Sequence, residues 1–436
     1  MRVLAIPAIA TTVILLCAGG AYGQARKSSS KGLPPSAYKL VAITVTGTHR
    51  YQPEDVARST GLQLGQTVHD EDFKDAVRLL GETGAFTDVS YNFQFDPDGT
   101  KLDLQVQETE KVVPARFDNV VWFSDHELLE KLHARVPLID RQIPLNGDLV
   151  NQVSEALQIL LIEKNVAGQV DYLRVSPSDN GPVEAIAFTV IGPHITIRNV
   201  GFSGADPGEL TLLAAAAERL QGAVFLRPAL RTQVEKAFMP IYLARGYLQA
   251  AFGEPEAKVV ENGPQETVVD LTFAVTPGRQ YKVAETQVLG SKALSPDRLK
   301  ALLHLQPGQT ANAIQLEKDT AAIRQLYSTL GYMAVEIKTE PTMDDAQAVV
   351  TFVVRIVEGD VYKMGELEIQ GLDSRATARV QNDWTLRPGD IYDASYPARF
   401  LEQAFKEIGD WKTSVHETLN PREQTVDVTI RFDPKA

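Results

Sequence analysis

Four times in 436 residues the chain makes the same join. In "GETGAFTDVSY" (81–91), "LARGYLQAAF" (243–252), "STLGYMAVEIK" (328–338) and "FKEIGDWKTSV" (405–415), an apolar helical pattern stops at a glycine. An aromatic follows within two residues and a strand-like run begins. Glycine lets a helix end in the left-handed conformation that other residues reach only at a cost, and the aromatic can cover the helix end. A chain that repeats this join repeats a fold, so its period decides the architecture.

A second landmark keeps step with the first. An alternating strand ends in glycine at "LVAITVTG" (40–47), "ITIRNVGFSG" (195–204), "KVAETQVLG" (282–290) and "KMGELEIQG" (363–371). A weaker copy without the glycine, "ARFDNVVWFSD" (115–125), takes Phe123 as its counterpart. The landmarks at 47, 123, 204, 290 and 371 are then 76, 81, 86 and 81 residues apart. The joins at Gly84, Gly246, Gly331 and Gly409, with Val166 standing in for the second copy, lie about forty residues beyond them.

Within each unit the period-2 strand leads to a short helix. In "SPDRLKALL" (295–303), Ser295 can cap and Pro296 suits the first helical position. A glycine turn follows, as in "LQLGQTV" (62–68), "LQPGQTA" (305–311) and "LRPGDIY" (386–392). A longer helix carries apolar residues at helical spacing, such as Phe73, Ala76, Val77 and Leu80, or Leu316, Ile323, Leu326, Tyr327 and Leu330. Pro240 inside "KAFMPIYLARGY" (236–247) predicts a kink there. Two strands joined by a turn close the unit, as in "FTDVSYNFQF-DPDG-TKLDLQVQE", with "VVENG" (259–263) and "TMDDAQ" (342–347) marking the same hairpin later.

The expected fold class is therefore α+β: five tandem small two-layer β-α-α-β-β units. Their boundaries fall at 38–110, 111–193 (the degenerate copy), 194–279, 280–359 and 360–436. Short linkers, "VTPGRQY" (275–281) and "VEGDVY" (357–362), predict an elongated, gently bent rod. The first strand of each unit must join the hairpin's sheet, most simply beside the third. That leaves the second strand on an open edge, where another chain could pair.

The N-terminus bounds the compartment. Arg2 precedes an apolar run, and "AYG" at 21–23 is a small-x-small pattern, which reads as a secretory signal peptide over 1–23. A polar linker, 24–37, follows. The run 3–23 is also just long enough to span a bilayer if retained, and Leu16 before Cys17 argues against a lipoprotein anchor. Cys17 is the one cysteine, so a mature chain would hold no thiol and no disulfide. Export without disulfides points to a bacterial envelope compartment.

These units resemble the POTRA (polypeptide-transport-associated) domain, which occurs in tandem in BamA-type and TamA-type outer-membrane assembly factors and singly in the division protein FtsQ. The likeness is carried by the "VTG", "FSG", "VLG" and "IQG" strand ends, the "GQT" and "PGD" turns, and the "TGAF", "RGYL" and "LGYM" joins, over 38–436. BamA-type proteins continue into a membrane β-barrel, whereas this sequence ends at "TVDVTIRFDPKA" (425–436), so barrel-dependent functions are not carried over. The resemblance implies a periplasmic array, peripheral to the outer membrane, that binds polypeptides partly by adding a strand. Its partners would be a separate outer-membrane β-barrel protein or unfolded outer-membrane clients. An inner-membrane-tethered scaffold with an uncleaved anchor, like FtsQ, is the alternative.

A net charge of −13 argues against a nucleic-acid partner bound through a basic face. The seven histidines (His49, His69, His126, His133, His194, His304 and His416) show no paired metal spacing. "HDEDF" (69–73) reads as an acidic helix start, "DPDG" (96–99) as a hairpin turn, and "SDH" (124–126) as a serine cap before a helix. No catalytic, cofactor or metal residue is expected, and no enzyme. The alanine-rich "LLAAAAERL" (212–220) reads as a helix packed closely on its sheet, or as a contact between units. Candidate receiving positions are Val89, Ser90, Tyr91, Asn92 and Phe93 in the first unit and Ala334, Val335, Glu336 and Ile337 in the fourth. Trp411 and Val415 hold the equivalent segment of the fifth.

Overall fold

The computed structural model describes residues 34–178, 181–263, 265–408 and 411–434. The expected signal peptide, most of the polar linker and the join glycine Gly409 lie outside the described residues. The described residues fall into two compact units, divided between Glu110 and Lys111.

The first unit holds β1 (Leu40–Thr46), α1 (Pro53–Ser59), α2 (Asp70–Glu82), β2 (Phe86–Asp96) and β3 (Gly99–Glu108). The second unit opens with β4 (Val112–Phe117), α3 (Asp125–Arg135), β5 (Gln142–Pro144), α4 (Leu149–Glu163), β6 (Gln169–Val175) and β7 (Ala185–Ile191). Then come β8 (His194–Ser203), α5 (Pro207–Ala217), α6 (Arg227–Gln233), α7 (Met239–Leu243), β9 (Ala251–Phe252), β10 (Glu256–Asn262) and β11 (Glu266–Thr276). The next segment is β12 (Lys282–Leu289), α8 (Pro296–Lys300), α9 (Ala313–Ser328), β13 (Glu336–Asp344) and β14 (Val349–Val357). The last is β15 (Lys363–Gln370), α10 (Ser374–Asp383), α11 (Tyr396–Ile408), β16 (Trp411–Asn420) and β17 (Thr425–Pro434).

These strands make five sheets among the described residues, each covered by its own helices: mixed α+β throughout, with no closed barrel. The orders are β1-β3-β2, β5-β4-β7-β6, β10-β11-β8, β12-β14-β13 and β15-β17-β16. In each, the opening strand runs parallel to the last strand of the hairpin, which lies in the middle. In four of the five the middle strand alternates buried with more exposed residues, so one face meets the helices and the other meets water; in the second sheet β7 is buried without alternation from Ala185 to Phe188. In the fourth sheet, Val350, Phe352, Val354 and Ile356 of β14 pack with Leu299, Leu316, Ile323 and Tyr327 from the helices.

The strand-end glycine has a steric cause. Gly290 sits at φ +90° where the chain crosses the end of β14, and a Cβ there would lie 2.2 Å from the Ile356 carbonyl oxygen. Gly47, Gly204 and Gly371 cross Val106, Val275 and Phe432 in the same way. The second sheet solves the crossing differently, which corrects the assignment of Phe123. β4 stops at Phe117, and the Asn119 side chain takes the crossing, accepting from the Val190 N–H at 2.7 Å and donating to its carbonyl at 2.9 Å.

The helix-to-strand joins at Gly246 and Gly331 are Schellman caps. Gly246 N–H donates to Leu243 O and Tyr247 N–H to Tyr242 O, and Gly331 and Tyr332 repeat the pattern on Ser328 and Tyr327. The aromatic packs edge-on against the ring one turn back, at 5.7 Å for Tyr242–Tyr247 and 5.6 Å for Tyr327–Tyr332. In the second sheet the left-handed residue is Asn165 at φ 57°, rather than Val166. Asparagine is the residue after glycine that tolerates this region best. Ser124 and Ser295 cap their helices as expected. The break expected at Pro240 takes the form of a π-helical turn, Val234–Phe238, between α6 and α7. Proline cannot donate to the preceding turn, and the wider turn absorbs the mismatch.

Candidate functional site

A three-stranded sheet has two edges, and here they are treated differently. The glycine turn between the helices folds back along the opening strand. In the first sheet Leu40 N–H donates to Gln66 O, Gly65 N–H to Leu40 O and Val68 N–H to Tyr38 O. The same three bonds recur around Ile197, Val283 and Met364, and in the second sheet the turn becomes β5 itself. The start of the opening strand's outer edge is thereby covered by the chain's own backbone. Among the described residues the hairpin's first strand is left with an unpaired outer row in each order: β2, β6, β10, β13 and β16.

These open strands are not equivalent. β2 pairs with β3 without a break from Asp88 to Asp96. Val89, Tyr91 and Phe93 oppose Val106, Leu104 and Leu102 on the helix side, while Ser90 and Asn92 face water. Tyr91, Phe93 and Phe95 form a half-buried ladder whose rings lie 6.1 and 5.1 Å apart, with Phe73 of α2 at 4.8 Å from Phe93. β16 pairs with β17 over ten residues without a shift. Trp411 and Val415 lie on its helix side, Val415 is 37% exposed and Leu419 42%.

β13 is damaged as a template. Pro341 sits in its middle with the pairing to β14 unbroken, so its nitrogen must face the open edge, where one donor is missing. The structure also corrects two positions here. Ala334 and Val335 precede β13 and lie in the turn after the Gly331 cap, and Val335 is buried in the core. Of the expected four, Glu336 and Ile337 lie on the strand. β10 shifts register between Val259 and Glu261 and faces residues 120–124 across a cavity of about 550 Å³. β13 forms one wall of an apolar groove of about 330 Å³ opposite α9, lined by Leu243, Leu248, Leu316, Pro341 and Met343.

Electrostatic fixtures hold the loops around the open strands. Glu108 ends β3, and one of its oxygens accepts from the Thr48 hydroxyl at 2.7 Å and from the His49 and Arg50 N–H groups at 2.8 and 2.9 Å. Glu358, just past β14, accepts from the Lys292 and Ala293 N–H groups and the Tyr327 hydroxyl. Burial works against both charges, but the hydrogen bonds together outweigh it and hold both carboxyls below the usual range. On β16, Glu417 accepts from the Tyr392 hydroxyl at 2.6 Å. Burial, and then this bond, push the Tyr392 phenol far up, so it remains a donor. These glutamates were not singled out from sequence. The signal was present as a glutamate two residues after the last buried strand position, in "VQE" and "IVE".

Among the described residues no group of three His, Cys, Asp or Glu is placed to hold a metal ion. None of their helices is long and apolar enough to cross a membrane. His304 pairs with the buried Asp319 at 2.7 Å, a local contact that fixes the turn before α9.

The chain was compared with known proteins. Residues 38–109 and 281–359 match the POTRA family model, described as "Surface antigen variable number repeat". A putative outer membrane protein assembly factor of Treponema pallidum is 25% identical over 271 residues, 59% of this chain and 32% of that protein. The outer membrane protein assembly factor BamA of Nitratidesulfovibrio vulgaris is 21% identical over 413 residues, 90% of this chain and 50% of the relative. The chain thus spans half or less of the length of these relatives. Among solved structures, Haemophilus influenzae BamA POTRA3-5 aligns with a TM-score of 0.45 at 16% identity, over 56% of this chain and 98% of that one. The N-terminal domain of Omp85 from Thermosynechococcus elongatus gives 0.24 at 19%, over 56% and 99%.

Proposed function

We propose that this chain, whose segments 38–109 and 281–359 are POTRA domains, is a non-enzymatic polypeptide-binding scaffold that takes part in outer-membrane protein assembly. In this reading each sheet with its helices is one domain, bounded at 38–110, 111–193, 194–279, 280–359 and 360–436. The array works in the periplasm, beside the outer membrane. Its partners are polypeptides: a separate β-barrel protein, or barrel clients before they fold.

The observation that carries the reading is the asymmetry of the edges. The chain's own turn, or β5 in the second sheet, covers the start of the opening strand's edge, whereas the hairpin strand is open along its length among the described residues. An open backbone row recruits another strand, with main-chain bonds giving affinity and side chains at alternate positions giving specificity. Val89–Tyr91–Phe93 on β2 and Trp411–Val415 on β16 lie on the longest unbroken rows and are assigned as the principal receiving positions. Glu336 and Ile337 begin a row that Pro341 interrupts, so β13 serves a shorter contact. The assembly-factor names of the relatives support the class of partner.

A photo-reactive amino acid placed at Ser90 or Ser414, on the open strands, tests this in cells. Adducts with outer-membrane proteins are expected from both, and none from Gln105 on the central strand β3. Equal yields from all three positions, or none from any, would sink the strand-addition reading.

A further inference from the structure

Among the open hairpin strands, β10 has a second stretch of chain standing opposite it. Val120, Val121, Trp122 and Phe123, between β4 and α3, are all buried. The stretch is pinned at both ends. Asp118 O accepts from Arg227 N–H, the Asn119 side chain holds Val190, and Ser124 caps α3. Two side-chain contacts tie it to the far side. Trp122 Nε1–H donates to Asn262 Oδ1 at 3.0 Å, and Asp125 meets Arg227 at 2.6 Å, with Glu254 at 3.8 Å from the same guanidinium. Between these contacts lies the cavity of about 550 Å³, with Val120, Val121 and Trp122 on one wall and Pro255, Ala257 and Val259 on the other.

Both walls carry unpaired backbone. Among the described residues, the N–H and carbonyl groups of Val120, Val121, Trp122 and Phe123 make no hydrogen bond within the chain. The outer row of β10 is unpaired as well. Backbone groups beside buried side chains are paired in folded proteins almost without exception, so a whole row of them calls for a partner. A gap with one such row on each side matches an extended strand, which presents N–H and carbonyl groups along both of its edges. The register shift between Val259 and Glu261 bends β10 just where the walled part ends.

We infer that this gap is a two-walled slot for one extended polypeptide segment, bonded to β10 along one edge and to Val120–Phe123 along the other. The inference rests on the strand-addition reading of the open rows and adds a second wall to the β10 row. Charge narrows the occupant. Arg227 is already engaged by Asp125 and Glu254, and Glu256 and Lys258 lie exposed on β10, so the slot offers no free charge to a charged segment. Its valines, Trp122, Pro255 and Ala257 offer apolar surface instead. The segment that fits is uncharged and alternates apolar with small polar residues, as a barrel strand does before it folds. Held on both edges, it is bound by twice the backbone rows that a single open strand supplies.

Amide hydrogen exchange on the full chain tests the slot with a blocked synthetic peptide that alternates valine with threonine. A second peptide is N-methylated at every other residue, which strips the donors from one edge only. The parent peptide should slow exchange at Val120–Phe123 and Ala257–Val259 together, as well as along β2 and β16. The methylated peptide keeps one bonding edge, so it should still protect β2 and β16 but lose its effect at Val120–Phe123. Three results overturn the slot: protection at Ala257–Val259 alone, protection at neither wall, or a methylated peptide that protects Val120–Phe123 as its parent does. In each of these, a response of β2 and β16 leaves strand addition at the open rows standing. Both walls protected by the parent peptide alone, with β2 and β16 unchanged, would keep the slot and sink the reading of those two rows.

Discussion

Gly290 and Gly308 show how differently two glycines in one repeat are constrained. Both have left-handed backbones, but a side chain on Gly308 would meet nothing within 4 Å, while one on Gly290 would press into a strand carbonyl. Gly308→Ala should therefore cost about 1 kcal/mol from backbone strain alone. Gly290→Ala should cost at least about 3 kcal/mol, because the crossing over β14 must shift as well. Urea unfolding of the two variants reads the difference, and equal losses would contradict the steric account. Glu358 gives a pH prediction at the same scale. Its carboxyl is held below the ordinary value in the folded chain, so its contribution is present above the unfolded pKa and is lost as pH falls through the folded one. Glu358→Gln should lose about 2 kcal/mol at neutral pH and show a shallower loss of stability below about pH 4.5. An unchanged acid limb in thermal melts would count against this role.

At the scale of elements, a turn covers the start of one sheet edge, while the hairpin strand on the other edge is left unpaired among the described residues. Pro341 then separates β13 from β2 and β16. Pro341→Thr restores the missing donor, and we expect it to raise self-association or peptide capture by the fourth sheet, read by sedimentation. No change would mean that β13's outer row is blocked by something besides the proline. Much of this level was legible in sequence. The "VTG"-type ends and the Gly-aromatic joins mark places where only one residue type fits, so they survive as landmarks. The degenerate second copy was misplaced at Phe123 and Val166 because asparagine took both special positions, once by a side chain imitating a strand and once by a left-handed backbone. Ala334 and Val335 read as strand because a buried turn is apolar too. The covering of the opening strand's start by the glycine turn, and the pairing of Arg227 with Asp125, join residues distant in sequence, and no local pattern announces them.

For the whole molecule, the combination of open rows matters more than any single row. The assembly-factor relatives are longer than this chain, and the similarity to them covers 59% and 90% of it. The central claim is that a polypeptide adds to open hairpin strands, and amide hydrogen exchange tests it most directly. The full chain would be measured with and without an unfolded outer-membrane β-barrel protein. Protection should rise in Phe86–Asp96 and Trp411–Asn420, while β3 and β17, already paired on both sides, stay unchanged. Protection confined to helices or loops, with both open strands exchanging as before, would contradict the account.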